Sequence, residues 1–235
     1  MRRSLQLALI AIFFYIPASF AAVNAPRFAV PILCTENPSA RTRTVGTGIV
    51  IDPAGTIVTA AHVVSVSRVL CTLTVIVPHA EWSQALGFHT FSLKECVSNE
   101  VLDVALCRIE PLSSPRDRAY LIPARIRIAV PRPASAVTIT GFTGWGLLPT
   151  ILDGFLLTPQ QLYRREDGCY CDFAVGVSVH PGMSGSPLIN ASGDVVGLIT
   201  VAGTGKFRGV SFGTSFERAA AFLRKNGVTF SADRV

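Results

Sequence analysis

Residues 180–188 read HPGMSGSPL, from His180 to Leu188: a serine between two glycines, then a second serine and a proline, in a chain rich in strand-forming residues. Gly and Ser clusters ordinarily mark turns, because glycine accepts positive φ and serine hydrogen-bonds nearby backbone. Ser184 is therefore a turn residue unless the rest of the chain supplies a base and an acid to activate its hydroxyl. The G-x-S-x-G elbow of parallel-sheet hydrolases is not matched, since Ser186 stands where its last glycine belongs. No alternation of strands and helices is present to build such a sheet.

Working outward, short β-rich runs separated by turns dominate both sides. Upstream lie TVGTGIVI from Thr44, TIVTA from Thr56, RVLCTLTVIV from Arg68, FHTFSL from Phe88 and DVALCRI from Asp103. A Pro- and Arg-rich stretch from Pro111 to Pro133 precedes a second series: AVTITGF, DGFLLTPQQLY, CYCDFAVGVS, SPLIN, DVVGLITVA and RGVSFG. This pattern predicts an all-β protein in two similar halves, residues 22–120 and 121–235. Helical spacing is read only near the end, in SFERAAAFLRKNG, with Thr214 as cap, Glu217 three residues later and Gly227 as terminator. With 49% hydrophobic and only 15% charged residues, the 235-residue chain can bury a large core, which excludes disorder.

The N-terminus carries Arg2 and Arg3 ahead of an apolar run from Leu5 to Ile16, followed by Pro17 and small residues. This is the layout of a secretory signal peptide, residues 1–21, with cleavage expected after Ala21. The run is shorter than the roughly 20 residues of a spanning helix, so no stable membrane insertion is expected after cleavage. Taking the two leader arginines from 21 basic residues leaves 19 against 15 acidic, a net charge of about +4. The basic residues are scattered and lack interleaved aromatics, so no nucleic-acid partner is expected.

The six cysteines, Cys34, Cys71, Cys96, Cys107, Cys169 and Cys171, all lie beyond the leader, and an even count in an exported chain predicts disulfides of open connectivity. Cys169 and Cys171 flank Tyr170 on one face of a strand, which favours bonds to different partners. No paired ligand spacing supports a zinc site. A secreted or periplasmic location follows from leader and cysteines together.

Two residues answer the demand for a base and an acid. TAAHVV places His62 directly after an apolar strand and a turn into alanines, and VLDVALC places Asp103 inside an apolar run. A carboxylate in a buried strand costs several kcal/mol unless it accepts hydrogen bonds, so Asp103 needs a partner such as an imidazole N–H. His79, His89 and His180 have surface or structural surroundings, and Asn190-Ala191-Ser192, although a sequon, sits in a turn signal.

TAAH, D-V-A-L and G-x-S-G-x-P, in that order, resemble a chymotrypsin-like (trypsin-like) serine protease, closest in motif style to secreted bacterial members. The resemblance spans roughly Val45 to Gly227. It implies two six-stranded antiparallel β-barrels with the site between them, and hydrolysis of a protein or peptide substrate without metal or organic cofactor. His62 is then the base, Asp103 its orienting carboxylate and Ser184 the nucleophile, with the N–H groups of Gly182 and Ser184 forming the oxyanion hole. By the same resemblance Ser178 is the floor of the substrate pocket and Thr200, Val201 and Ala202 one wall. Met183 stands where animal digestive members carry an aspartate that receives a newly cut N-terminus, so no internal activation cut is expected. A catalytically inactive protease-fold binding protein is the alternative; loss of one of the three residues would be its signature, and all three are present.

Overall fold

The computed structural model describes residues 25–36, 41–82, 87–110, 117–129, 132–144, 146–164 and 170–230; the expected leader and Cys169 lie outside the described residues. Among the described residues, twelve strands form two closed six-stranded barrels. The first contains β1 (Ala29–Glu36), β2 (Thr42–Val50), β3 (Thr56–Thr59), β4 (Cys71–Pro78), β5 (Phe88–Asn99) and β6 (Val104–Ile109). The second contains β7 (Ala136–Phe142), β8 (Pro149–Arg164), β9 (Tyr170–Val175), β10 (Pro187–Asn190), β11 (Val195–Ala202) and β12 (Ser211–Ser215). Their strand orders, 1-2-3-6-5-4 and 7-8-9-12-11-10, are the same path traced twice, and every pairing is antiparallel. The all-β, two-barrel expectation is met.

Closure removes sheet edges and turns one face of every strand inward. Ile32, Ile49, Ile57 and Val75 fill the first barrel, and Ile139, Leu156, Phe173 and Ile199 the second. Each fully buried apolar side chain of this kind contributes about 1.5–3 kcal/mol. Disulfides join Cys34 to Cys71, across β1 and β4, and Cys96 to Cys107, across β5 and β6. The first closes a 37-residue separation, which in the chain-entropy account stabilises the fold by about 4 kcal/mol.

Three local expectations are corrected. The segment Ala61–Leu70 is a helix, α1, so RVLCTLTVIV divides between its end and β4, and His62 is a helical residue. Its four valines and Leu70 mimic a strand, but Ala61, Val63 and Val64 are buried, and that packing overrides their β propensity. Asp103 is not within a strand: it ends the turn 101–103, with φ +51°, immediately before β6. The C-terminal helix α2 (Phe216–Lys225) is capped by Ser215, whose hydroxyl accepts from Arg218 N, rather than by Thr214. Thr214 is the fourth residue of β12, and the helix starts one position later than its Thr-x-x-Glu signature suggests. Asn190 is a turn-former as expected, its Oδ1 accepting from the N–H groups of Ser192 and Asp194.

The connection between the barrels is tied to both. Ala124 N donates to Val50 O, while Arg127 N donates to Val195 O and Val195 N to Arg125 O, a short parallel bridge onto β11. Phe216, Ala219 and Leu223 of α2 then pack into the apolar cluster that continues through Leu121 and Ile126 to the first barrel.

Candidate active site

The site is assembled from three connections, each just outside a strand. α1 follows β3 after a single residue, which puts His62 at the rim of the first barrel. The turn between β5 and β6 brings Asp103 beside it. Asp103 Oδ2 lies 2.8 Å and Oδ1 3.0 Å from His62 Nδ1, and Oδ1 also accepts from the His62 backbone N at 2.9 Å. The carboxylate is buried while the imidazole is 34% exposed, with Nδ1 turned to the carboxylate. With a carboxylate against Nδ1, the tautomer carrying its proton there is favoured, leaving Nε2 as acceptor.

Ser184 comes from the segment between β9 and β10. Its hydroxyl donates to Thr200 O at 3.4 Å, and among the described residues no hydrogen bond joins it to His62. The turn holding it is fixed from several directions. Gly185 N donates to Ile199 O, Met183 N to His180 O and Ser186 N to Met183 O. The Met183 side chain is fully buried in the second barrel's core. Thr47 of β2 reaches in from the first barrel: its N donates to Ser184 O and its Oγ1 to Gly182 O, while that same oxygen accepts from Phe142 N.

Gly182 has φ +96°, and a Cβ there would lie 2.6 Å from Phe142 O and 2.9 Å from Gly144 N, so no other residue fits. The N–H groups of Gly182 and Ser184 have no partner among the described residues, whereas the carbonyl on the far side of each of those peptides is engaged. Pro181 O accepts from Gly144 N at 3.1 Å, and Met183 O from Ser186 N at 3.0 Å. Two free donors, each locked from behind, are the chemistry that an oxygen carrying negative charge requires.

The residues expected to contact substrate lie on neighbouring elements. Ser178 is exposed, and its neighbours are fastened to β12: Ser211 Oγ donates to Val177 O and accepts from Val179 N. Ser211 is the ladder partner of Ala202, so the Ser178 segment is fastened at the end of β12 that pairs with Ala202. Thr200 is buried and presents its carbonyl to Ser184, with Val201 half-buried beyond it. Thr47 and Gly144 escaped the sequence reading, and Thr214 was read only as a helix cap. Thr47 and Thr214 look like ordinary strand threonines, and Gly144 acts only through its backbone, so no side-chain pattern marks them.

The sequence profile described as Trypsin-like peptidase domain matches residues 46–198, more than half of the chain and inclusive of His62, Asp103 and Ser184. The chain belongs to the trypsin-like peptidase family. It is 27% identical over 207 residues to the magnetosome formation protease MamE of Magnetospirillum gryphiswaldense, covering 84% of this chain and 23% of that one. The MamE of Paramagnetospirillum magneticum is 27% identical over 193 residues, covering 80% and 24%. This trypsin-like peptidase thus spans about a quarter of the length of the curated relatives it matches. Among solved structures it resembles the MamO protease domain from Magnetospirillum magneticum in its apo form, with a TM-score of 0.66 at 18% identity, covering 86% of this chain and 98% of that one. It also resembles the Rv3671c protease of M. tuberculosis in its active form, with a TM-score of 0.63 at 22% identity, covering 89% and 84%. At these identities the structural likeness speaks for the fold of this trypsin-like peptidase.

Proposed function

We propose that this trypsin-like peptidase is an exported serine endopeptidase that cleaves protein or peptide substrates through His62, Asp103 and Ser184. The observation that carries the reading is the pair of unpartnered, back-anchored N–H groups at Gly182 and Ser184 beside an imidazole already held by a buried carboxylate. Two aligned donors of this kind stabilise a tetrahedral oxyanion by about 3 kcal/mol each. The leader-like N-terminus and the two disulfides support export.

The hydrolysis runs in two halves. The substrate carbonyl oxygen enters between the two N–H groups, and Ser184 Oγ leaves Thr200 O, a bond near the outer limit of hydrogen bonding. His62 Nε2 takes the hydroxyl proton as Oγ attacks, and Asp103 stabilises the imidazolium that forms. The imidazolium returns the proton to the leaving amine, giving an acyl-enzyme, and a water activated by the same nitrogen releases the acid. Long or unmade nucleophile–base bonds are ordinary before substrate arrives. The test is labelling of the purified protein with a fluorophosphonate together with digestion of an unfolded protein substrate. Labelling and digestion support the reading; a folded protein that does neither is a binding protein on a protease fold.

At the substrate pocket, Ser178 offers a neutral hydroxyl, and the Ala202 methyl narrows the entrance relative to glycine. A buried substrate Arg or Lys would lack an anionic partner there. Small and medium uncharged residues such as Ala, Val or Leu are therefore expected before the cleaved bond. Peptide-library profiling checks this, and a dominant Arg or Lys preference would remove Ser178 from the pocket floor.

The oxyanion donors give a second expectation. Gly144 N–H fixes the Pro181–Gly182 peptide, and a Cβ at Gly144 would meet only Thr44 O, at 3.8 Å. Gly144→Ala should leave kcat within a factor of about two, because the N–H is kept. Gly144→Pro removes it and should lower kcat by roughly 10- to 100-fold, with a smaller effect on KM. Equal kcat for the two variants would show that the Gly182 peptide is held without Gly144.

A further inference from the structure

The acid of the proposed triad sits on a turn whose geometry is not secured by the first barrel alone. Asp103 has φ +51°, a region that side-chain-bearing residues enter at a cost and keep only when their surroundings enforce it. Within the turn, Leu102 N donates to Asn99 Oδ1 at 3.1 Å and Asp103 N to Glu100 O at 3.3 Å, the second a long bond. The carbonyl of Leu102, on the peptide that leads into Asp103, is engaged from outside. Thr214 Oγ1, on β12 of the second barrel, donates to it at 2.7 Å.

Thr214 is wholly buried and makes this bond over 112 residues of sequence. Among the described residues the Thr214 hydroxyl makes no other hydrogen bond, and Ser215, not Thr214, caps α2. The bond fixes the rotation of the Leu102–Asp103 peptide plane. That rotation sets the direction of the Asp103 side chain, which must satisfy His62 N and Nδ1 at once with separations of 2.8–3.0 Å. A peptide turned by a few tens of degrees would keep Asp103 in the turn yet lose one of those contacts. The paired strands β11 and β12 then touch both ends of the catalytic relay, since Thr200 O of β11 holds the Ser184 hydroxyl and Thr214 of β12 holds the Asp103 turn.

We propose that Thr214 is a positioning residue for catalysis, acting through the Leu102 carbonyl to aim Asp103 at His62. The proposal rests on the protease reading given above for the hydrolytic part of its test, and on geometry alone for the spectroscopic part. Thr214→Val keeps shape and burial but removes the donor; Thr214→Ser keeps the donor. In the full chain, Thr214→Val should lower kcat by roughly 10- to 100-fold at nearly unchanged KM, in line with the cost of displacing a catalytic group by about 1 Å. Thr214→Ser should retain wild-type kcat within a few-fold. The proton shared between His62 Nδ1 and Asp103, observed by low-field proton NMR, should shift or broaden in Thr214→Val and return in Thr214→Ser. If Thr214→Val does not fold, Thr214→Ala carries the same readouts. A wild-type resonance and wild-type kcat in a folded donor-less variant, with only a lowered Tm, would overturn the proposal and leave Thr214 as a barrel staple. A wild-type protein that neither hydrolyses nor labels, yet whose resonance responds to Thr214→Val, would overturn the protease reading and leave the positioning role standing.

Discussion

Ser184→Ala is expected to lower kcat for peptide hydrolysis by about 10⁶-fold and to abolish fluorophosphonate labelling, while the protein remains folded. The size follows from the way such groups act as a unit: without the nucleophile, His62 and Asp103 have nothing to activate, and what remains is about 10³- to 10⁴-fold over water from the oxyanion donors and substrate binding. The fold should survive because the lost hydroxyl makes a single long bond, to Thr200 O at 3.4 Å. The turn is held by backbone: Ser184 O accepts from Thr47 N, and Gly185 N donates to Ile199 O. A stability change within about 1 kcal/mol is expected. Hydrolysis by Ser184→Ala at the wild-type rate, measured on the same purified preparation with a fluorogenic peptide, would remove Ser184 from the mechanism.

Asp103→Asn should lower kcat by about 10⁴-fold with the backbone unmoved. The two carboxylate oxygens divide their work: Oδ1 accepts from the His62 backbone N, and Oδ2 lies 2.8 Å from Nδ1. An asparagine that keeps its carbonyl on the backbone N–H must place its NH₂ against Nδ1. Nδ1 then has to accept, the ring proton moves to Nε2, and that nitrogen can no longer take the Ser184 proton. The reverse orientation sets NH₂ against a backbone N–H, two donors facing each other at a buried site. Steady-state kinetics, with circular dichroism to verify the fold, measures the effect. Asp103→Asn within about tenfold of wild type would show that Asp103 does not set the imidazole tautomer.

The all-β class in two halves was legible because its signals are local, while the two barrels and the candidate set His62, Asp103 and Ser184 came from the resemblance carried by three short motifs. An alternating strand announces its buried face by period, and a glycine pair around a serine announces a tight turn. What escaped is decided by packing at a distance. AHVVSVSRVL has the composition of a strand, yet it is helical because the rim of the first barrel receives Ala61, Val63 and Val64 from a helix. Asp103 looked like a charge buried in a strand because its apolar neighbours Val104, Ala105 and Leu106 belong to β6 while it belongs to the turn before. Thr214 carried a cap signature correct in type and displaced by one residue. Its hydroxyl instead serves Leu102 in the opposite barrel, and no window of sequence that short contains both partners.

The hydrogen bonds from Thr47 to Gly182 O and Ser184 O cross the boundary between the barrels and end on the very turn whose free N–H groups define the oxyanion site. That arrangement makes the shape of the turn a joint property of the two barrels. The turn's own hydrogen bonds, Met183 N to His180 O and Ser186 N to Met183 O, lie within the second barrel, whereas its outer support from Thr47 exists only when the first barrel is docked against it. Under the proposed protease reading, hydrolysis therefore reports the docking of the two barrels rather than the closure of either one.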